Sequence, residues 1–299
     1  MSTFQKALFL YNGNAGGDVI EDKLAQTIPI LSQAIKQLTV IQTNSVEDAK
    51  RTCEMYAKQV ELIIILGGDG TVHACINKIA SLKERPILAV LPGGTSNDFS
   101  RMMLMPQSLE EAAQTILEGT IMDIDIGKAD ERYFLNFWGV GLVTETSQNI
   151  DPNQKKNFGV LSYFMSTIKT VSQAKSFTYN ITTRQDSYNG EAVMILVLNG
   201  KFIGTRELPI TSIHPSDGLL DVLIVKNSNL ASFRELLSMN NPEMDTDNLR
   251  EVTYFQTDYL EVYTEEEKEV DTDGEIAAGT PSTIEVVPSH LKMICGSVK

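Results

Sequence analysis

Two short segments carry the residue types that handle phosphate. Gly67-Gly68-Asp69-Gly70-Thr71 and Pro92-Gly93-Gly94-Thr95-Ser96-Asn97-Asp98-Phe99 each combine glycines, hydroxyls and one carboxylate. Glycines permit positive φ and close backbone approach, and a helix N-terminus offers unpaired N–H groups, so both segments read as phosphate cradles. A carboxylate repels a bare phosphate, so Asp69 requires a bridging cation or a tightly held network. Asp123 and Asp125 alternate with Ile124 and Ile126, which predicts that the two acids share one strand face. Asp69, Asp98 and Asp125 then form an acidic set beside a phosphate loop, and such a set predicts Mg2+ with retained waters. The first segment is not a Walker A loop, which needs Gly-Lys-Ser/Thr, nor a dinucleotide fingerprint, whose glycine spacing differs. Taken alone it also fits a tight strand–helix turn with no ligand.

Each cradle closes an aliphatic run. The residues from Leu62 to Leu66 and from Ile87 to Leu91 do not alternate apolar with polar, so both runs read as strands buried on two faces. The residues after Thr71 predict a helix with Thr71 near its N-cap. Upstream, residues 6–11 read as a first strand ending at Asn12–Gly17, residues 20–37 as a helix and residues 38–43 as a second strand. Ser45 caps a helix over Val46–Gln59. This alternation implies a parallel α/β sheet with helices on both faces. Ligands bind such sheets at the carboxyl ends of the strands, so the three Gly-rich loops converge on one site. After Gly127 strands dominate: 133–137, 177–183, 192–198, 219–225, 252–257 and 259–263. Asn189-Gly190, Asn199-Gly200 and Asp217-Gly218 mark turns among them. This is the pattern of an antiparallel β domain. Helices over Phe158–Lys175 and Leu230–Met239 interrupt it. The predicted division is 1–127 and 128–290, with residues 290–299 returning to the first domain.

A chain of 299 residues has room for two modest domains. Its net charge of −14 argues against nucleic acid as a main partner and weakens attraction of the whole chain to an anionic membrane. Glu243–Glu275 holds 13 acids against 2 bases; most of these read as solvated surface. Three cysteines without paired spacing indicate neither a disulfide framework nor a zinc site. No apolar stretch reaches the length of a membrane span, and the N-terminus lacks a signal pattern, so a cytoplasmic location is expected. His73 and His290 read as structural or surface residues, and Met102, Met103 and Met105 as core filling, with contact to a lipid as the alternative. Arg101 reads equally as nucleotide-facing or as solvated.

Taken together, these residues resemble the diacylglycerol kinase catalytic family, and within it the soluble bacterial lipid kinases. The resemblance runs from Asn12–Gly17 to Asp273-Gly274-Glu275. Gly-Gly-Asp-Gly-Thr is shared with NAD kinases and, more loosely, with phosphofructokinases; Gly-Gly-Thr-Ser-Asn-Asp-Phe and Asp-Gly-Glu are more specific. The resemblance implies an ATP-binding, NAD kinase/phosphofructokinase-like α/β domain, a C-terminal antiparallel β-sandwich lipid domain, and an active site in the cleft between them. It implies nucleotide contacts at Asn12, Gly13, Asn14, Ala15, Gly16, Thr43, Gly67, Gly68, Asp69, Gly70, Thr71 and Thr95. Where the family often has Asn-Pro, this chain has Asn12-Gly13, which keeps the donors and loses rigidity. The family's carboxylate network falls on Asp69, Asp98 and Asp125.

The resemblance also implies a second, structural Mg2+, held by the Asp217 side chain and the main-chain carbonyls of His214 and Leu219. The residues alone give only a turn there. Asp-Gly-Glu supplies the general base, Glu275 first and Asp273 second, whereas local composition gives two acids in a solvated hairpin. The implied activity is ATP- and Mg2+-dependent transfer of the γ-phosphate to the hydroxyl of diacylglycerol or a related lipid, giving phosphatidic acid. Contact with the membrane lipid is then transient and peripheral, with Lys155, Lys156, Lys169 and Lys175 as a basic rim. A homodimer stays open. Two other readings compete: an NAD kinase-like phosphotransferase, disfavoured by the Asn-Asp-Phe and Asp-Gly-Glu motifs, and a non-catalytic nucleotide- or lipid-binding regulator, disfavoured by the intact acids.

Overall fold

A computed structural model describes residues 4–13, 20–144 and 175–297. The chain divides into two compact units, Met1–Ile124 with Ser289–Lys299, and Asp125–Pro288. The fold is mixed α/β, with a parallel sheet in the first unit and antiparallel sheets in the second.

The first unit alternates strands and helices: β1 (Lys6–Asn12), α1 (Ile20–Leu31), β2 (Gln37–Thr43), α2 (Val46–Tyr56), β3 (Leu62–Gly67), α3 (Asp69–Ala80), β4 (Ile87–Pro92), α4 (Asp98–Met102), α5 (Leu109–Glu118) and the start of β5 (Thr120–Ala129). β1 lies between β2 and β3, and β4 adds beside β3, all parallel. β3 is buried along its whole length, which is why its sequence is an unbroken aliphatic run rather than an alternating one. α1 packs with α5 and α2 with α3. Ser45 caps α2, its side chain accepting the Asp48 N–H at 3.1 Å. Met102, Met103 and Met105 are buried, as core filling requires.

The second unit contains β6 (Arg132–Phe134), β7 (Phe137–Gly141), β8 (Phe177–Thr183), β9 (Ser187–Ala192), β10 (Met194–Leu198), β11 (Phe202–Ile203), β12 (Arg206–Glu207), β13 (Leu220–Val225), α6 (Leu230–Ser238), β14 (Val252–Thr257), β15 (Tyr259–Thr264), β16 (Glu269–Thr272), β17 (Glu275–Gly279) and the first part of β18 (Ser282–Cys295). One antiparallel sheet runs β14-β13-β10-β7-β16-β17. In the other, β15 pairs β18 and β8, and β8 pairs β9. Trp138, Val197 and Val222 of the first sheet pack with Ile181, Leu260 and Ile284 of the second in one core. On the opposite face of the first sheet, Phe137, Leu198 and Leu223 join Ile210, Leu236 and Met239 in another. Apolar cover on both faces explains why β10 is apolar throughout and β13 is aliphatic apart from Asp221.

Three expectations change. The strand expected at 133–137 is two strands, β6 and β7, interrupted at Leu135-Asn136. Asn189-Gly190 lies inside β9 instead of turning the chain, paired with Asn180 and Tyr179 of β8. The helix starting near Thr71 begins at Asp69, with Gly68 as its N-cap. Of the helix expected over 158–175, only Lys175 falls among the described residues, and Lys155, Lys156 and Lys169 lie outside them.

Candidate active site

In the first unit the two glycine loops touch. The Gly93 N–H donates to the Gly67 carbonyl at 3.0 Å. A Cβ added to Gly94 falls 2.4 Å from the Gly68 Cα, so side chains are excluded where the loops meet. Asn97 shapes the second loop from a left-handed conformation (φ 54). Its Oδ1 accepts the Gly94 N–H at 2.8 Å and its Nδ2 donates to the Gly94 carbonyl at 3.1 Å. Asp69 Oδ1 accepts the Phe99 N–H at 3.3 Å, joining the two motifs. Asp98 opens α4 and is half-buried. Gly68 caps α3 without a side-chain hydrogen bond, and Gly70 and Thr71 lie in the opening turn, whose first N–H groups have no acceptor within the helix.

The remaining nucleotide candidates are unequal. Asn12 ends β1, and the Gly13 N–H donates to the Thr43 carbonyl at 3.2 Å. Thr43 is fully buried, its hydroxyl donating to the Tyr11 carbonyl at 3.1 Å. Thr95 is exposed. Asn14, Ala15 and Gly16 lie outside the described residues. A cavity of about 650 Å³ opens beside the second loop, lined by Lys23, Gly93, Gly94, Asn97 and Arg101 among others. Lys23 was not singled out from the sequence. It is 8% exposed, and its ammonium donates to the Gly93 carbonyl at 3.0 Å; a lysine on an amphipathic helix gives no local sign of that contact. Arg101 Nε donates to the Ser96 carbonyl at 3.0 Å. His73 sits 3.2 Å from Asn77 on α3. His290 contacts the Ala80 carbonyl at 2.8 Å, and burial holds its imidazole below the ordinary value. Both fit structural roles.

In the second unit Asp125 is 2% exposed. Its N–H donates to the Pro215 carbonyl at 2.8 Å, and its Oδ2 accepts the Gly218 N–H at 2.7 Å. Asp123 does not share this environment. It lies in the solvated start of β5, paired with Lys292 at 2.7 Å. Asp217 is exposed, and its Oδ1 accepts the Leu219 N–H at 3.0 Å across Gly218, whose φ is +76. His214 is exposed, its Nδ1 3.1 Å from Ser216 Oγ.

No group of three or more His, Cys, Asp or Glu side chains gathers around one point among the described residues. An all-side-chain cage is therefore not offered there. The candidate donors are carboxylates and main-chain carbonyls, which suit a hard cation that keeps several waters, as Mg2+ does.

The Asp273–Glu275 segment separates its two acids. Asp273 and Gly274 both have positive φ, at 54 and 91, and form the two-residue turn between β16 and β17. The Asp273 carboxylate accepts the N–H groups of Leu135 at 2.7 Å, Asn136 at 2.9 Å and Phe137 at 3.0 Å. Those bonds account for the break between β6 and β7. Asp271, fully buried and not foreseen, accepts the Gly274 N–H at 2.7 Å. Glu275 follows the turn and is exposed.

Residues 6–129 match the diacylglycerol kinase catalytic domain, and residues 140–295 match the YegS C-terminal NAD kinase beta sandwich-like domain. A Staphylococcus aureus (strain JH9) protein named "Putative lipid kinase" is 30% identical over 97% of both chains. The chain belongs to the diacylglycerol kinase catalytic family. A Staphylococcus carnosus member, also named "Putative lipid kinase", is 28% identical over 97% of both chains. A crystal structure described as a "putative diacylglycerol kinase" from Bacillus anthracis str. Sterne superposes with a TM-score of 0.89 at 38% identity, covering 99% of this chain and 98% of that one. A second Bacillus anthracis structure, described as a diacylglycerol kinase, gives 0.82 at 33% identity over 99% and 98%. Membership in this family makes the protein a kinase-type enzyme and implies ATP with a divalent cation. No described helix is long and apolar enough to cross a membrane.

Proposed function

We propose that this family member transfers the γ-phosphate of ATP to the hydroxyl of diacylglycerol, giving phosphatidic acid. The observation that carries the reading is the division of labour at the β16–β17 turn. Asp273 spends its oxygens on three N–H groups and holds the turn, while Glu275 next to it is exposed and able to accept a proton. Glu275 is the general base that takes the hydroxyl proton as the oxygen attacks phosphorus.

The backbone N–H groups at the start of α3, with Gly67, Gly68, Gly70, Thr71 and Thr95, hold the phosphates. Asn12, Gly13, Asn14, Ala15 and Gly16 form the rest of the nucleotide site, the buried Thr43 supports it through its carbonyl's bond with the Gly13 N–H, and Lys23 and Arg101 add positive charge at the second loop. Asp69, Asp98 and Asp125 are the carboxylates that would hold Mg2+, through its retained waters. When bound, that ion neutralises charge developing on the transferred phosphate. Asp217, with the carbonyls of His214 and Leu219, would hold a structural Mg2+. The enzyme works in the cytoplasm and meets its lipid by peripheral contact.

The test compares Glu275→Gln with the parent protein using ATP and diacylglycerol vesicles. The expected loss in kcat is about 10²–10⁴-fold with little change in the KM for ATP. Near-parental turnover would remove Glu275 from the mechanism.

A further inference from the structure

Three buried polar atoms of the second unit have no hydrogen-bond partner among the described residues: Asn136 Oδ1, Trp138 Nε1 and Asn199 Oδ1. They are neighbours. Trp138 pairs with Val197, and Phe137 with Leu198, across β7 and β10. The Asn199 N–H donates to the Asn136 carbonyl at 2.9 Å, so the two asparagines face each other one step past that ladder. Asn136 and Asn199 lie in the bends just outside β7 and β10, one step past the Phe137–Leu198 pair and two from the Trp138–Val197 pair. Trp138 and Val197 both belong to the core between the sheets.

The Asn199 amide cannot be turned over to satisfy its oxygen. Its Nδ2 donates to the Asp125 carbonyl at 3.1 Å and the Leu135 carbonyl at 2.9 Å, and the reverse orientation aims an oxygen at both. One buried donor and two buried acceptors match the needs of a single internal water, which makes about three hydrogen bonds to such groups. The water accepts from the indole and donates to both amides.

We propose that Asn136, Trp138 and Asn199 bind one structural water, and that this cluster positions the acids of the second unit. Asn199 grips the main chain of Asp125. The Asn136 N–H is one of the three that anchor Asp273, two residues from Glu275. The asparagines are positioning residues, and this part rests on the role assigned to Glu275 above; the water does not.

Trp138 is the single tryptophan of the chain, so 15N-labelled protein gives one indole N–H signal. The expected result is a cross-peak from that N–H to a long-lived water, lost in Asn136→Ala and in Asn199→Ala. A parent protein without the cross-peak overturns the water. Positioning is read in kinetics. Asn136→Ala is expected to lower kcat about tenfold, Asn199→Ala by more because it also drops the two carbonyl contacts, and the double variant no further than Asn199→Ala, because the two side chains share one water. The KM for ATP stays unchanged. Additive losses, or a loss confined to KM, overturn the positioning role. If Asn199→Ala does not fold, Asn136→Ala with Trp138→Phe supplies the same cycle. If the parent transfers phosphate to no lipid, the assignment of Glu275 fails by itself. The cross-peak and the non-additivity of thermal unfolding midpoints then decide the cluster.

Discussion

Replacing Gly94 with alanine strikes the contact between the two glycine loops. The new Cβ stands 2.4 Å from the Gly68 Cα, 3.3 Å from the Gly68 nitrogen and 3.2 Å from Asn97 Oδ1. Ordinary contact begins at 3.4 Å, so the loops have to separate by about 1 Å. The obstacle is main chain, which cannot rotate away as a flexible side chain does. Gly94 is also held on both its N–H and its carbonyl by Asn97. Overpacking of this kind costs about 1–3 kcal/mol, and each kcal/mol lowers the melting midpoint by roughly 2–4 °C in a domain of this size. A displacement of about 1 Å at a phosphate cradle also costs on the order of 10²-fold in kcat. Gly68→Ala is the graded comparison, because its Cβ meets the Gly94 Cα at 3.1 Å. Melting curves without nucleotide should order the proteins as parent, Gly68→Ala, Gly94→Ala, and initial rates should fall sharply for Gly94→Ala. If Gly94→Ala melts and turns over like the parent, the loops are not in fixed contact and the reasoning fails.

Asp273→Ala leaves three backbone N–H groups of the β6–β7 break without their acceptor; urea unfolding should show a loss of about 3 kcal/mol or more, and an unchanged midpoint would deny Asp273 its anchoring role. Mg2+ should raise the melting midpoint of the parent by mass action and raise that of Asp217→Ala less; equal shifts would place the structural cation elsewhere. Cys53, Cys75 and Cys295 are free and buried. Burial pushes the Cys295 thiol up to about 11. The hydrogen bond with Cys53, followed by burial, raises Cys75. A thiol stays protonated below its pKa, so at about pH 8 these two remain unreactive. A thiol reagent should therefore label the folded protein slowly and the denatured protein fast; rapid labelling of the native state contradicts that burial.

Sequence patterning revealed the elements whose cause is local or whose burial is complete. β3, β4, β10 and, apart from Asp221, β13 are apolar because both their faces are covered, and the alternation of strands and helices before β5 forces a parallel sheet. The break at Leu135-Asn136 was invisible because its cause, Asp273, lies 138 positions from Leu135. Asn189-Gly190 carries a turn signal, yet pairing with β8 overrides it. The acids divide in the same way. Spacing put Asp123 and Asp125 on one face, but only the Asp125 end of β5 is covered, by the segment around Pro215 and Gly218. Spacing also left Asp273 and Glu275 interchangeable; the partners of Asp273 separate them. Lys23 was missed because its role is a contact with a loop 70 residues away.

The most direct measurement follows labelled γ-phosphate from ATP, with Mg2+, onto a panel of lipid alcohols in vesicles and onto NAD, for the parent protein and Glu275→Gln side by side. Label appearing on diacylglycerol, and nearly vanishing in the variant, is the predicted result. Label on NAD, on no acceptor, or undiminished in Glu275→Gln contradicts it.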